Sequence, residues 1–382
     1  MIYYKIFIII VLALYFYYCY HFLKGIFKIK RTRLTTPDSD LPYLSIVIPA
    51  CNEEEVIERT VKSIDNQNYP KSKFEIIVVN DRSTDRTLEI LESLKEKISN
   101  LSIITITDKV EGVSPKKNAL KTGVINSKYN YIVSSDADCF YHENWLRLYG
   151  EKAIEDHGVV AGMSVFYKES FSSWFEKLWQ GFNTTDFIAH SLVAAGAMGN
   201  NRALTCNASN MMFKKNLYIK SGNRATLLNV TSGDDFFLIQ TAEKEGESLE
   251  FIVDPDHVVR TEPSKTLSEL FDQRARWASK MTIGTPYILT FIYTLFFMYS
   301  FTFLYPLMAI FDLFDIMFYI FVISGKVFCD LSFNFYGYGR FNLKPDLISF
   351  ILYQIFNMPF NIISVAKGNL YGFVWKGEKY RR

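Results

Sequence analysis

Between Leu44 and Ser135 the chain repeats one local pattern. A short apolar run rich in β-forming residues is followed by a polar turn and then by apolar side chains at helical spacing. The four runs are LSIVIP, FEIIVVN, LSIITI and YIVSS. A strand that is apolar on every residue cannot lie on a half-wetted sheet. It needs cover on both faces, which the intervening helices supply. The pattern predicts α/β architecture: a mostly parallel, Rossmann-like sheet with helices on both faces. Ligands of such sheets collect beyond the carboxyl ends of the strands. Asn52, Asp81 and Asp136 fall at three of those ends. For the helices, Asn52 is expected to cap one starting at Glu53, with Glu55 in the capping-box position. Ser83 or Thr84 is expected to start the next, and Pro115 to open a third.

Apolar residues make up 49% of the chain and aromatic residues 16%, and both are concentrated at its two ends. Ile6 to Leu23 is long enough to span a bilayer, and no small-residue cleavage site follows it. Lys24, Lys28, Lys30, Arg31 and Arg33 come next. They suit anionic headgroups, and by the positive-inside rule they put the following domain in the cytoplasm. Residues 25–43 read as a basic linker, and residues 44–284 as the folded domain. Residues 285–382 read as a membrane region with spans near 286–308, 315–335 and 347–367. Asp312 and Asp315 fall in the first connection, Arg340 and Lys344 in the second. Three spans would put the basic tail WKGEKYRR outside, against its charge preference. The stretch FNMPFN is therefore a candidate re-entrant or interfacial piece. A net charge of +2 argues against a nucleic-acid partner. Five scattered cysteines without a CxxC pair give neither a zinc site nor a disulfide framework.

The region from 156 to 260 is less regular. VVAGM and FIVD read as strands, and SWFEKLWQGFNTTDFIAHSLVAA as one long helix. Its aromatics serve either core packing or a surface lying on the bilayer or acceptor.

The acids carry the chemistry. Asp136 and Asp138, two apart after a strand, can reach one hard cation through oxygen. Asp81 reads either as a turn residue or as a nucleotide contact, and Asn52 and Glu53 have the same two readings. Lys116 at a helix start is either solvated or offsets a diphosphate. Asp234 and Asp235 open an apolar helical stretch. They are either caps or a general base for a hydroxyl, and of the two Asp235 is the expected base. Gln273, Arg276 and Trp277 share a helix face in LSELFDQRARWASK. On composition alone this is a basic surface helix with an interfacial Trp. Functionally, Arg suits a departing diphosphate and Trp a sugar ring.

In order and spacing these residues resemble membrane-embedded family-2 glycosyltransferases, the group containing cellulose, chitin and hyaluronan synthases and ceramide glucosyltransferase. IVIPACNEEEVI resembles the family's opening strand with P-x-x-N-E. VVNDRSTDRT resembles its V-x-D-D-x-S-x-D turn, with Asn80 in place of the first Asp. Lys116 with Leu120 resembles K-x-x-x-L, DAD the metal motif, GDD the base motif and QRARW the Q-x-x-R-W motif. Lys121 stands where Asn is frequent. Ala208, in CNASNMMFKK, stands where Gly is usual in the acceptor stretch. The resemblance implies a GT-A fold, Mg²⁺ or Mn²⁺, and inverting transfer from a UDP- or GDP-sugar to a lipid-linked or glycan acceptor, possibly processive. It implies donor contacts from Asn52, Glu53, Asp81, Lys116 and Asp136. It also implies metal ligation by Asp138 with Asp136, and acceptor or diphosphate contacts from Gln273, Arg276 and Trp277. The alternative is a non-catalytic pseudoenzyme or membrane scaffold. A transporter is disfavoured by the expectation that no charge lies deep in the spans.

Overall fold

The computed structural model describes residues 2–110, 113–168, 170–227, 233–278, 284–311, 313–375 and 378–380. Asp312, Ser232 and part of the basic tail lie outside the described residues. The chain divides into two compact units. One comprises Phe27–Ser170 and His190–Pro263; the other comprises Met1–Ile26, Phe171–Ala189 and Ser264–Arg382. The expected 44–284 domain is thus shared between both. Helix α1 (Ile2–Lys28) belongs almost wholly to the second unit.

In the first unit the elements run β1 (Leu44–Ala50), α2 (Ile57–Asp65), β2 (Phe74–Asp81), α3 (Thr87–Lys95), β3 (Leu101–Ile106), α4 (Pro115–Asn126) and β4 (Tyr131–Ser134). Then follow α5 (Trp145–Ile154), β5 (Val159–Gly162) and β6 (Ser164–Phe166). After α6 (Trp174–Met198), whose residues to Ala189 belong to the other unit, come β7 (Met211–Lys214), α7 (Lys215–Leu227), α8 (Asp234–Lys244), β8 (Leu249–Ile252) and β9 (Val259–Thr261).

The seven-stranded sheet has the order β3-β2-β1-β4-β7-β5-β8. The first four strands are parallel, as their apolar runs require. Ala50 pairs with Asn80 and Val47 with Ser134, so β1, β2 and β4 end along one edge. MMFK was not recognised as a strand, yet β7 lies antiparallel between β4 and β5 and makes the sheet mixed. Its cover is Trp145 and Tyr149 of α5, both fully buried. Gly123 lets α4 close on β1, since a Cβ there would lie 2.3 Å from Val47 Cγ1.

Two helix starts differ from expectation. α2 begins at Ile57, not Glu53, because the Asn52 side chain accepts the Thr84 N–H at 2.8 Å instead of capping its own helix. α3 begins at Thr87, not at Ser83 or Thr84, because Asp85 Oδ1 takes the Thr87 N–H at 3.0 Å.

The second unit holds α1, the first part of α6, α9 (Leu267–Ala278), α10 (Pro286–Leu304), α11 (Ile316–Arg340) and α12 (Leu347–Ala366). Four of its helices are long and apolar enough to cross a membrane: Ile2–Lys28, Pro286–Phe311, Ile316–Arg340 and Leu347–Ala366. FNMPFN, the candidate re-entrant or interfacial piece, runs as helix through Pro359 inside α12. Ile8, Val11 and Leu12 of α1 pack on Met298, Phe301 and Val322. The spans are not free of charge, contrary to expectation. Buried Lys326 and half-buried Asp330, one turn apart on α11, pair at 2.8 Å. Lys326 also donates to Gln354 Oε1 at 2.5 Å, and Tyr15 donates to Asp330 at 2.5 Å. The pair neutralises itself, which makes it tolerable among apolar helices.

Among the five residues expected to meet headgroups, Arg31 instead pairs with Asp254 at 2.6 Å, and Lys28 donates to Asn200.

Candidate active site

The loops after β1 and β2 are stitched together. Asn52 and Arg82 both turn through the left-handed region, φ 54° each, immediately after their strands. Non-glycine residues are held there only when their surroundings over-determine them. Here the surroundings are a hydrogen-bonded seam. The Asn52 N–H donates to Ser83 Oγ, the Glu53 N–H to Thr87 Oγ1 and the Glu54 N–H to Asp85 Oδ2. Burial raises the Asp85 pKa, but the hydrogen bonds from Thr87 and from the Glu54 backbone outweigh it and hold the carboxyl below its ordinary range. Asn52 and Glu53 therefore shape the rim through backbone and amide contacts. Ser83, expected as a helix start, Asp85, of the VVNDRSTDRT turn, and Thr87, to which sequence reasoning assigned no role, are the other half of that rim.

Asp81 closes β2, is buried, and accepts from Arg82 Nε at 2.8 Å. Two strand spacings, roughly 10 Å, separate β2 from β4 along the same edge. After β4, Asp136 pairs with Lys116 at 2.5 Å. Lys116 is presented by the first turn of α4, which Ser114 caps by accepting the Lys117 N–H. Asp138 accepts from Thr261 Oγ1 at 3.0 Å. Thr261 ends β9 and was not anticipated, because nothing in its local sequence sets it apart. Burial first, then the charges of Asp136 and Glu53, push the Asp138 carboxyl up to about 6, against the opposing pull of Thr261 and Lys116.

That repulsion is what a divalent cation shared by Asp138 and Asp136 would relieve, so these oxygens fit a hard cation. Among the described residues, no group of three or more His, Cys, Asp or Glu side chains forms a ready-made metal cage. A cation carried with a diphosphate needs no cage, since it commonly takes one or two carboxylates and completes its shell with phosphate and water.

Asp234 and Asp235 occupy the first turn of α8, after Gly233 at φ 101°. Asp234 lies 3.9 Å from Lys117. The adjacent lysines of α4 therefore hold one acid from each motif, Asp136 and Asp234, and place both motifs beside α4. Asp235 caps locally, with its Oδ1 accepting the Phe236 N–H.

Gln273, Arg276 and Trp277 share α9, as expected, and all three are half-buried. They belong to the helical unit, whereas the six acids and Lys116 belong to the sheet unit.

Residues 45–228 match the model of glycosyl transferase family 2. Glycosyltransferase AglE of Haloferax volcanii is 36% identical over 121 residues, 32% of this chain and 38% of that protein. The beta-monoglucosyldiacylglycerol synthase of Nostoc sp. is 30% identical over 118 residues, 31% of this chain and 25% of that protein. The chain thus spans 38% and 25% of the lengths of these two relatives. A solved structure of the mannosyltransferase PcManGT from Pyrobaculum calidifontis, in complex with GDP-Man and Mn²⁺, superposes with a TM-score of 0.58 over 95% of this chain and 98% of that one. At 15% identity that likeness is one of fold. Residues 45–228 therefore resemble glycosyl transferase family 2 and contribute to a mixed sheet of the GT-A fold, in a chain that also carries, among the described residues, four helices long enough and apolar enough to cross a membrane.

Proposed function

We propose that this protein transfers a sugar, with inversion, from a UDP- or GDP-sugar to a lipid-linked or glycan acceptor. Transfer takes place at the cytoplasmic face of the membrane that its apolar helices span. The observation that carries the reading is the set Glu53, Asp136, Asp138 and Lys116 at the carboxyl edge of a GT-A sheet, with the Asp138 carboxyl driven up by burial and then by its acidic neighbours.

Asp81 and the stitched rim at Asn52 and Glu53 hold the nucleoside side of the donor. Lys116, already charged and placed on Asp136, draws the diphosphate to the acids. Mg²⁺ or Mn²⁺ held by Asp138 and Asp136 supplies positive charge against the leaving diphosphate. Asp235 takes the proton of the acceptor hydroxyl as that oxygen attacks the anomeric carbon from the face opposite the diphosphate. Gln273 and Trp277 hold the acceptor, and Arg276 braces the diphosphate. The printed names of the relatives support a membrane acceptor, since one of them makes a glycolipid. Single addition and processive addition differ in product length.

The test is turnover of radiolabelled UDP-glucose, UDP-N-acetylglucosamine and GDP-mannose by the full-length protein in detergent, with Mn²⁺, with Mg²⁺ and with chelator. Cation-dependent release of nucleoside diphosphate is expected. Asp235→Asn should lower transfer by about 10²-fold or more while nucleotide binding persists. Retained turnover in that variant removes Asp235 as base. No turnover of any donor by the wild-type protein returns the non-catalytic scaffold.

A further inference from the structure

Arg274 sits inside the QRARW segment without belonging to Q-x-x-R-W, and it is the best-held residue of α9. Its guanidinium is buried, as is Asp186 on α6. Arg274 Nε donates to Asp186 Oδ2 at 2.7 Å, and Nη2 donates to Asn183 Oδ1 at 3.1 Å while lying 2.6 Å from Asp186 Oδ2. Nη1 donates to Gln273 Oε1 at 3.1 Å, and the guanidinium lies 4.1 Å from the Trp277 ring centre. Phe187, next to Asp186, stacks on that indole at 5.9 Å and 27°.

A buried ion pair is seldom a net source of stability, because two ions must leave water to form it. Its value here is geometric. Guanidinium has only donors, so it can engage the carbonyl of a neighbouring amide and never the amide nitrogen. Contact with Arg274 therefore fixes which end of Gln273 is which. The oxygen is turned to Arg274, and the –NH₂ is turned away from it. The same planar cation fixes the ring of Trp277 by lying over it.

We propose that the Asp186–Arg274 pair is a positioning device that makes Gln273 a hydrogen-bond donor toward the acceptor substrate and sets the plane of Trp277. This rests on the acceptor role given above to Gln273 and Trp277. The ligand atom facing Gln273 is then an oxygen that accepts, such as a hydroxyl, ring or phosphate oxygen. A second clamp keeps α9 in register. Lys367 pairs with Asp272 at 2.8 Å, and Gly368, in a π turn after α12, lies so close that a Cβ would meet the Ala275 carbonyl oxygen at 2.4 Å.

The experiment compares wild type, Arg274→Lys and Gln273→Glu as full-length proteins in mixed micelles. Polyprenyl phosphate and diacylglycerol are the acceptor probes, with whichever of the three donors above is turned over. Arg274→Lys keeps the charge on Asp186 but loses the fork. It is expected to raise acceptor KM about tenfold or more, with donor KM and melting temperature unchanged. Gln273→Glu keeps an oxygen toward Arg274 and loses the –NH₂, and it should raise acceptor KM at least as much. Equal changes in both KM values, or a loss that follows melting temperature, would reduce the pair to a structural brace and overturn the proposal. A readout without substrate is Trp277 emission, taken as the difference between each protein and its Trp277→Phe partner. It should shift in Arg274→Lys, and an unshifted spectrum also overturns the proposal. If wild type turns over no donor while Trp277 emission shifts, the glycosyl-transfer reading fails and the positioning claim for the indole stands.

Discussion

Asp138 and His257 are both titratable groups of the sheet unit whose shifts begin with burial, in opposite directions. Asp138 is raised partly by burial and partly by acids that converge on it, which is a signature of a site. His257 is pushed down to about 3 by burial alone, packed edge-on to Tyr149 at 4.4 Å. It is a core residue held neutral. Its consequence is acid sensitivity. The unfolded chain binds this proton near pH 6.5 and the folded one only near 3, so protonation favours unfolding between those values. The contribution is complete above about pH 6.5 and is lost as pH falls toward 3. Melting temperature should therefore drop through that window, and His257→Phe should flatten the curve; parallel curves for the two proteins would sink the assignment. Asp138→Asn should weaken cation dependence, raising the Mn²⁺ concentration for half-maximal turnover by about tenfold or more, since one of two carboxylate ligands is gone. At this scale the sequence made Asp81, Lys116, Asp136 and Asp138 legible because each sits at a strand end or a helix start. Thr261 and Asp186 were not legible, because their partners are 123 and 88 positions away and nothing local marks them.

Among the elements, the four parallel strands could be read directly from their mostly apolar runs, which β1, β2 and β4 bury almost completely and the edge strand β3 only in part. β7 could not. Its four residues are too short to show a period, and their strand character comes from pairing with β4 and β5 on either side. Helix starts were misplaced for one shared reason: the polar residues that usually cap their own helix here reach across to the neighbouring loop. Helix α4 carries the sharpest element-scale prediction. Gly123→Ala should destabilise, because the added methyl meets Val47 Cγ1 at 2.3 Å and Val79 Cγ2 at 3.2 Å. Overpacking of this kind costs about 1–3 kcal/mol, more than the ~1 kcal/mol that Ala gains over Gly within a helix. Denaturant midpoints should show the loss. Val47→Ala in the same chain should recover part of it, and purely additive losses would contradict the close packing. The shift of Lys116 and Lys117 that accompanies any displacement of α4 should lower donor affinity in the same variant.

On the scale of the whole molecule, two kinds of core coexist. The sheet unit is held by aliphatic and aromatic side chains shielded from water. In the helical unit, apolar packing between helices gains little once lipid replaces water, and polar contacts matter more. Lys326, Asp330, Gln354 and Tyr15 join α1, α11 and α12 in this way. Asp330→Asn leaves Lys326 buried and uncompensated, at a cost of about 3–5 kcal/mol, and Lys326→Met, which strands the half-buried Asp330, should cost less. The Lys326→Met, Asp330→Leu double variant should be milder than either single. Thermal unfolding in detergent reads this, and a double variant worse than both singles would show that the pair does more than neutralise itself. The number of apolar helices was legible from hydropathy, but the contact of Tyr15 with Asp330 was not, because it joins residues from opposite ends of the chain.

That pairing has a temporal side. Tyr15 leaves the ribosome 315 residues before Asp330, and Lys5 leaves 310 before Asp315. Every strand of the sheet precedes α10 in the chain, so a chain truncated before α10 would carry the sheet's strands and a first helix lacking its partners on α10 and α11.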